Sequence, residues 1–303
     1  MNKPAWGIDL GGTKIEGVIM PAADKPLPLV RMRIDTEAMK GYDHTINQIA
    51  KLIQMMKEKS GLNPYEIGFA TPGVIDPVLQ GMKNCNSTHL NGKPLKADLE
   101  KKLGVPVKLA NDANCFALAE AKWGVVKEIV PDAQIVFGII MGTGVGGGIV
   151  INGHVLEGHH GIGGEWGHNF LDDSGGMCYC GKIGCVETVL SGPALQQYYT
   201  SLTGEKIKLQ EIVSRNSKGE ASAIKTMDRL VHFFGKAVSV VTNILDPDVI
   251  VVGGGVGNID LIYEKGKQSL ENFIFNNSVD VKIVKPSLGD SAGVFGAAAL
   301  VDH

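Results

Sequence analysis

Trp6-Gly-Ile-Asp9-Leu-Gly11-Gly12-Thr13-Lys14-Ile-Glu-Gly-Val-Ile-Met20 is the stretch whose reading decides the fold. An apolar strand runs into a glycine turn and leaves as a second apolar strand, which is the pattern of a β-hairpin. Gly7 and Gly12 have the separation of a Walker A loop, but the Thr-Lys order is inverted and a strand follows where that loop needs a helix. A glycine turn with bare backbone N–H groups still suits phosphate oxygens, with Thr13 donating and Lys14 adding charge. Asp9 beside it is placed to hold Mg²⁺ through water. The plain alternative is a tight hairpin with a solvated lysine, and this stretch alone does not choose between them.

A second copy of the pattern does. Ala133–Met141 is an apolar strand, followed by Gly142-Thr143-Gly144-Val-Gly146-Gly147-Gly148. The G-x-G-x-x-G within it fails as a dinucleotide fingerprint, because a β-branched strand turning at Asn152-Gly153 follows where a helix is required. Two strand–Gly-Thr–strand hairpins predict a duplicated fold with one phosphate loop in each half, facing across a cleft. A third glycine run, Gly253-Gly254-Gly255-Val-Gly257, again follows a strong strand. Without side chains there, a flat adenine ring could lie on the backbone of Gly254 and Gly255. Between the first two loops, Val107-Lys-Leu-Ala-Asn111-Asp112 reads as a strand leading into an Ala-rich helix. Asp112 sits where an N-cap belongs. A carboxylate at a strand end facing a phosphate site is also where a general base for a hydroxyl nucleophile would sit.

Glu165-Trp-Gly-His168 and Cys178-Tyr-Cys180-Gly-Lys-Ile-Gly-Cys185-Val-Glu187 carry different chemistry. One imidazole and three thiolates make a closed tetrahedral zinc set of the structural kind. Clamping that loop would hold Glu165, Glu187 and the second nitrogen of His168 on a rigid platform suited to a polyhydroxylated substrate. A disulfide with stray acids is the alternative. The chain has five cysteines, an odd number that does not complete a disulfide framework, and Cys85 and Cys115 read as buried thiols.

Composition narrows the class. With 303 residues, 44% hydrophobic and 20% charged, the chain has core enough for two medium domains. A net charge of −3 argues against a nucleic-acid binder working by phosphate neutralisation. The start, Met1-Asn-Lys-Pro-Ala-Trp, has no apolar leader core, and no run is long enough to span a bilayer, so a cytoplasmic protein is expected. The forty glycines cluster, and clustered glycine marks backbone brought close to something.

Taken together, Asp9-Leu-Gly-Gly-Thr-Lys14, Asn111-Asp112-Ala-Asn, Gly142-Thr-Gly-Val-Gly-Gly-Gly148, Glu165-Trp-Gly-His168 and the cysteine segment ending at Glu187 resemble the ROK family of repressors and sugar kinases. The motifs run in the family's order and cover most of the chain. Within the family the chain looks most like bacterial manno(fructo)kinases, with N-acetylglucosamine kinases next through Asn111–Leu118. The resemblance implies an α/β, actin/hexokinase-like (ribonuclease H-like) duplicated two-domain fold with ATP and sugar in the interdomain cleft. It implies an ATP-dependent hexose kinase, fructokinase- or mannokinase-like, acting on the sugar 6-hydroxyl. A glucokinase or N-acetylglucosamine kinase is the alternative.

By the same resemblance Asp112 is the general base, and Gly73, Asn86, Asn111, Glu165, His168 and Glu187 bind sugar. Asp9, Gly11, Gly12, Thr13, Lys14, Gly142, Thr143, Gly144, Gly254 and Gly255 take ATP and Mg²⁺. His168, Cys178, Cys180 and Cys185 hold structural Zn²⁺, with His168 serving both metal and sugar through its two nitrogens. A homodimer is implied, with no nucleic-acid or membrane partner. Polyphosphate could stand in for ATP as donor. His89 departs from the pattern, since related fructokinases carry Trp there. That puts fructose in question if the ring packs near the sugar, and matters little if His89 is peripheral.

The expected domains are 1–115 plus 291–303, and 116–290. Tyr42–Lys59 shows helical spacing at Ile46, Ile49, Leu52, Ile53 and Met56, and Ala221–Ile244 reads as a long amphipathic helix with Val238, Val240 and Val241 in the core. Thr71–Pro77 is a breaker-rich loop, a candidate wall of the sugar site. A repressor would need a DNA-binding helix-turn-helix ahead of the first loop, and only eight residues precede Asp9. A metal-stabilised sugar-binding module without catalysis would be favoured by loss of Asp112 or Thr143, and both are present.

Overall fold

The computed structural model describes residues 3–22 and 27–302. The first hairpin forms as expected, from β1 (Ala5–Leu10) and β2 (Lys14–Met20), antiparallel with Asp9 opposite Glu16. β3 (Val30–Asp35) extends it on one side. β4 (Ile67–Thr71) adds on the other side in parallel, a small hairpin of β5 (Val74–Ile75) and β6 (Met82–Lys83) follows it, and β7 (Val107–Asn111) pairs in parallel with β4. The resulting order is β3-β2-β1-β4-β7.

A second sheet repeats this plan. It holds β8 (Ile135–Met141), β9 (Val145–Ile151), β10 (His154–Val155), β11 (Val249–Gly253) and β12 (Lys282–Val284), in the order β10-β9-β8-β11-β12. In each sheet a three-strand meander is followed by two parallel strands. The duplication read from the two glycine hairpins is therefore a duplication of topology.

The helices are α1 (Tyr42–Ser60), α2 (Leu95–Leu103), α3 (Asp112–Lys122), α4 (Val125–Ile129), α5 (Val186–Leu190), α6 (Gly192–Thr203), α7 (Leu209–Ser217), α8 (Ala221–Leu245), α9 (Gly254–Gly257), α10 (Lys267–Glu271) and α11 (Ala292–Ala299). α1 buries the five apolar positions its spacing predicts, and Gly61 ends it in the left-handed conformation. α8 also forms, with Val238 and Val241 buried, but Val240 is 46% exposed. Positions 238 and 241 share a helix face, whereas 240 lies off it. No described helix is long and apolar enough to cross a membrane.

The chain divides into two compact units, residues 1–132, 148–164 and 287–303, and residues 133–147 and 165–286. A boundary at 115 would cut α3, which stays whole in the first unit. There α11 lies directly on β1, β4 and α3 because Gly7, Gly68 and Gly296 have no side chains. A Cβ at those three positions would collide with Ala298, Ala297 and Cys115 backbone atoms respectively. This close approach packs Ala70, Ala110, Cys115 and Ala297 into one cluster.

Candidate active site

In the first unit the site is a consequence of register. Asp9 pairs with Ala70, Ala70 with Ala110, and Thr71 with Asn111, on three neighbouring parallel strands. Their carboxyl ends thus bring the Gly11–Thr13 turn, Thr71–Gly73 and Asn111–Asp112 to one edge of the sheet, where open α/β sheets bind ligands. Gly12, Thr13 and Lys14 are exposed there. Thr36 fixes the turn, donating its N–H to Thr13 O at 2.8 Å and its hydroxyl to Gly11 O at 2.7 Å.

The cap of α3 is Asn111, not Asp112. Asn111 Oδ1 accepts the Asn114 N–H at 2.7 Å, while Asp112 Oδ1 accepts from its neighbour, the Ala113 N–H at 2.8 Å. The structural duty read for Asp112 therefore falls to the residue before it. The Asp112 carboxyl opens to solvent, yet the protein crowds it enough to raise its pKa, against the lowering effect of the Ala113 N–H. Asp9 is pushed up to about 6, first by burial, then by the negative charges of Asp112 and Glu16, with Arg33 opposing. Gly293 of α11 leaves room for it, since a Cβ there would stand 3.0 Å from Asp9 Oδ2. Cys115, fully buried beneath the two acids, is held far above the ordinary thiol range by burial.

The other first-unit candidates sit nearby. Gly73 is buried, and its carbonyl accepts from Thr71 Oγ1 at 2.8 Å. Asn86 is exposed, with its N–H donating to Pro72 O at 3.4 Å. His89 turns to α1, its Nε2 3.1 Å from Thr45 Oγ1.

In the second unit, β8 and β11 run parallel, and Gly142–Gly144 and Gly254–Gly255 leave their carboxyl ends side by side. Gly254 has φ +81° and its missing Cβ would meet the Met141 backbone, so this position requires glycine. The Gly142–Gly144 turn is pinned from two sides. Gly192 N–H donates to Gly142 O at 2.8 Å, and Val145 N–H donates to Glu187 Oε2 at 2.9 Å. A Cβ on Gly144 would stand 2.6 Å from that same Glu187 oxygen. Glu187 thus braces the second glycine turn, a role its place in the cysteine segment did not announce.

His168, Cys178, Cys180 and Cys185 converge, their ligand atoms all within 4.8 Å of one another. Cys180 and Cys185 sulfurs are 3.6 Å apart, as are Cys178 Sγ and His168 Nδ1. A tetrahedral ion holding sulfur at about 2.3 Å separates its ligands by about 3.8 Å, so donor set and spacing fit zinc. All five cysteines are free thiols. The loop is shaped by backbone bonds from Cys178 N–H to Lys182 O at 2.8 Å and from Leu171 N–H to Gly184 O at 2.7 Å. Burial pushes the Cys185 thiol up to about 12, while the Lys182 N–H lowers Cys180. With Nδ1 turned to the sulfurs, His168 Nε2 faces outward, 3.0 Å from Tyr179 OH. Sequence reasoning passed over Tyr179, whose position between two cysteines is its only signal.

Two carboxylates with raised pKa values, paired glycine turns and a cluster of one imidazole and three thiols fit a phosphotransferase on the actin/hexokinase-like fold. Residues 5–303 match the ROK family, and the chain belongs to it. An N-acetyl-D-glucosamine kinase of Vibrio cholerae is 36% identical, over 97% of this chain and 98% of that one. The ROK hexokinase of Thermus thermophilus superimposes with a TM-score of 0.85 at 28% identity, covering 98% of this chain and 97% of that one. A ROK glucokinase of Streptomyces griseus, solved with glucose and AMPPNP, gives a TM-score of 0.76 at 26% identity, covering 98% of each chain.

Proposed function

We propose that this chain transfers the γ-phosphoryl group of ATP to the 6-hydroxyl of a hexose, and that N-acetylglucosamine is the acceptor it serves best. The placement of Asp112 carries the reading: an accessible carboxyl, raised by crowding, at the strand edge that also presents the first glycine turn. A raised carboxylate is a stronger base, suited to taking the hydroxyl proton as the oxygen attacks phosphorus. Phosphoryl transfer is otherwise positioning and charge stabilisation. The Gly11–Thr13 and Gly142–Gly144 turns offer backbone N–H groups and the Thr13 and Thr143 hydroxyls to phosphate oxygens, Lys14 adds positive charge, and Gly254–Gly255 offers a flat surface to adenine. Mg²⁺, held through Asp9, would neutralise phosphate charge. Asn111, Gly73, Asn86, Glu165, His168 and Glu187 bind the sugar. Zinc on His168 Nδ1 and the three thiolates would fix the outward orientation of Nε2.

The acceptor is taken from the Vibrio cholerae relative, ahead of the fructose or mannose that the sequence segments suggested. His89, the residue that put fructose in question, bonds Thr45 of α1. The test is ADP release with ATP and Mg²⁺ against N-acetylglucosamine, glucose, mannose and fructose, with a polyphosphate arm for the donor. Asp112→Asn is expected to reduce kcat by about 10²- to 10⁴-fold with the fold intact. Equal turnover by Asp112→Asn would overturn the assignment of the base.

A further inference from the structure

Ser87 stands against the first glycine turn from a distant stretch of chain. A Cβ on Gly12 would lie 3.1 Å from Ser87 Oγ, and no other described atom outside residues 11–13 comes within 4 Å of that place. Ser87 is half-buried and Gly12 is exposed, so the hydroxyl lies at the rim of the turn and not beneath it. Ser87 also holds the cap position of the short helical turn Thr88–Leu90. Serine is favoured there because its oxygen accepts an N–H of the turn. Here it does not: among the described residues the Ser87 hydroxyl makes no hydrogen bond.

The loop around that unengaged hydroxyl is firmly held. Asn91 Oδ1 accepts the Cys85 N–H at 2.9 Å, and Asn91 Nδ2 donates to Cys85 O at 3.2 Å. Leu90 is fully buried and its N–H donates to Ser87 O at 3.0 Å. The His89 contact with Thr45 pegs the same loop to α1. The Gly11–Thr13 turn is fixed separately, by Thr36. Among the described residues the Gly12 and Thr13 N–H groups, like the serine, find no acceptor. A donor that its neighbours hold still, and that bonds nothing itself, is arranged for a ligand.

The neighbours also say which ligand group. Asn86, one residue before Ser87, is assigned to the sugar, and Gly12 to the phosphates of ATP. A hydroxyl that borders both segments meets the group that passes between them, the terminal phosphoryl. An anionic oxygen also gains more from such a donor than a neutral sugar hydroxyl does, since charge-assisted hydrogen bonds are about twice as strong.

We propose that Ser87 is a phosphate-binding residue of the transfer reaction, its hydroxyl donating to an oxygen of the terminal phosphoryl group at the Gly11–Thr13 turn. The proposal rests on the hexose-kinase reading and adds a donor that neither the glycine motifs nor the sugar-binding set contains. Ser87 forms no covalent bond. Asp112 takes the hydroxyl proton, the sugar oxygen takes the phosphoryl group and ADP leaves, while the serine steadies the negative charge in transit.

Calorimetry with AMPPNP and with ADP separates this role from packing, because ADP lacks the group in question. Ser87→Ala is expected to weaken AMPPNP binding about tenfold or more and to leave ADP binding within about twofold. Ser87→Cys keeps the bulk but is a weak donor, and it follows Ser87→Ala. In turnover, kcat/KM for ATP falls about tenfold or more in both variants while KM for the sugar holds. Tm stays at the wild-type value, since the hydroxyl bonds nothing in the protein. Equal losses for AMPPNP and ADP, a loss confined to the sugar KM, or wild-type AMPPNP affinity in either variant overturns the Ser87 assignment and leaves the kinase reading standing. A selective loss of AMPPNP binding in a protein whose wild type phosphorylates no sugar supports Ser87 and overturns the kinase reading. A wild type that binds neither nucleotide overturns both.

Discussion

At the scale of single residues, the first unit keeps acidic side chains where they cost stability. Asp9 titrates at about 6 in the folded chain against 3.8 for the ordinary carboxyl. Between those values the native state holds a proton that the unfolded state has released. Stability of the ligand-free protein therefore falls as pH rises from about 4 to about 6 and stays at its lower level above. Asp9→Asn abolishes that loss, so its Tm is expected to exceed the wild type by about 2–5 °C at pH 7.5, with the gap closing below pH 4. Thermal melts of both proteins across that range, without Mg²⁺ or nucleotide, check it. A wild type that gains stability on going from pH 4 to pH 7 relative to the variant would contradict the burial and charge argument. The same substitution is expected to lower kinase activity, the usual exchange between stability and function at acidic sites.

At the scale of elements, the cysteine loop and the second glycine turn are one assembly. Cys185 is the N-cap of α5, and Glu187, in the first turn of that helix, accepts the Val145 N–H. Glu187→Ala leaves that N–H unpaired and is expected to cost about 1–3 kcal/mol in urea unfolding, whereas Glu187→Gln retains an acceptor oxygen and most of the stability. Equal losses in the two variants would remove the brace. The close contact of α11 is stricter. Gly296→Val drives a side chain into the Cys115 carbonyl and is expected to destabilise by about 3 kcal/mol or more, read from the same unfolding curves. Both hairpins, α1 and the metal loop were legible in sequence because each is local, with its signal in consecutive residues. The cap of α3 was not, since Asn and Asp are equally good caps and stand side by side at 111 and 112. Val240 was misplaced because two of three close valines share a face and the third does not.

At the scale of the whole molecule, the chain passes between its compact units after residues 132, 147, 164 and 286. The sequence reading expected two crossings, at 115 and 291, and neither the return of 148–164 nor the whole of α3 in the first unit leaves a compositional mark. Each unit nonetheless carries its own reporter. Trp6 and Trp123 are buried in the first unit, and Trp166 in the second, where its indole N–H donates to Gly146 O at 3.1 Å and its ring meets Phe137 edge-on at 5.5 Å. Trp166 lies two residues from His168, so the removal of a metal held by the cluster would be felt there first. With Trp6 and Trp123 replaced by Phe, chelation is expected to move the Trp166 fluorescence midpoint to lower denaturant. With Trp166 replaced instead, the Trp6 and Trp123 signal should keep its midpoint, because β1, α1 and α11 contribute no ligand to the cluster. Binding free energy of a structural metal is folding free energy only for the residues that it organises. Two separated transitions after chelation would assign that contribution to the second unit. A single transition moving in both proteins would mean that the four crossings make the chain one cooperative unit, with zinc holding all of it.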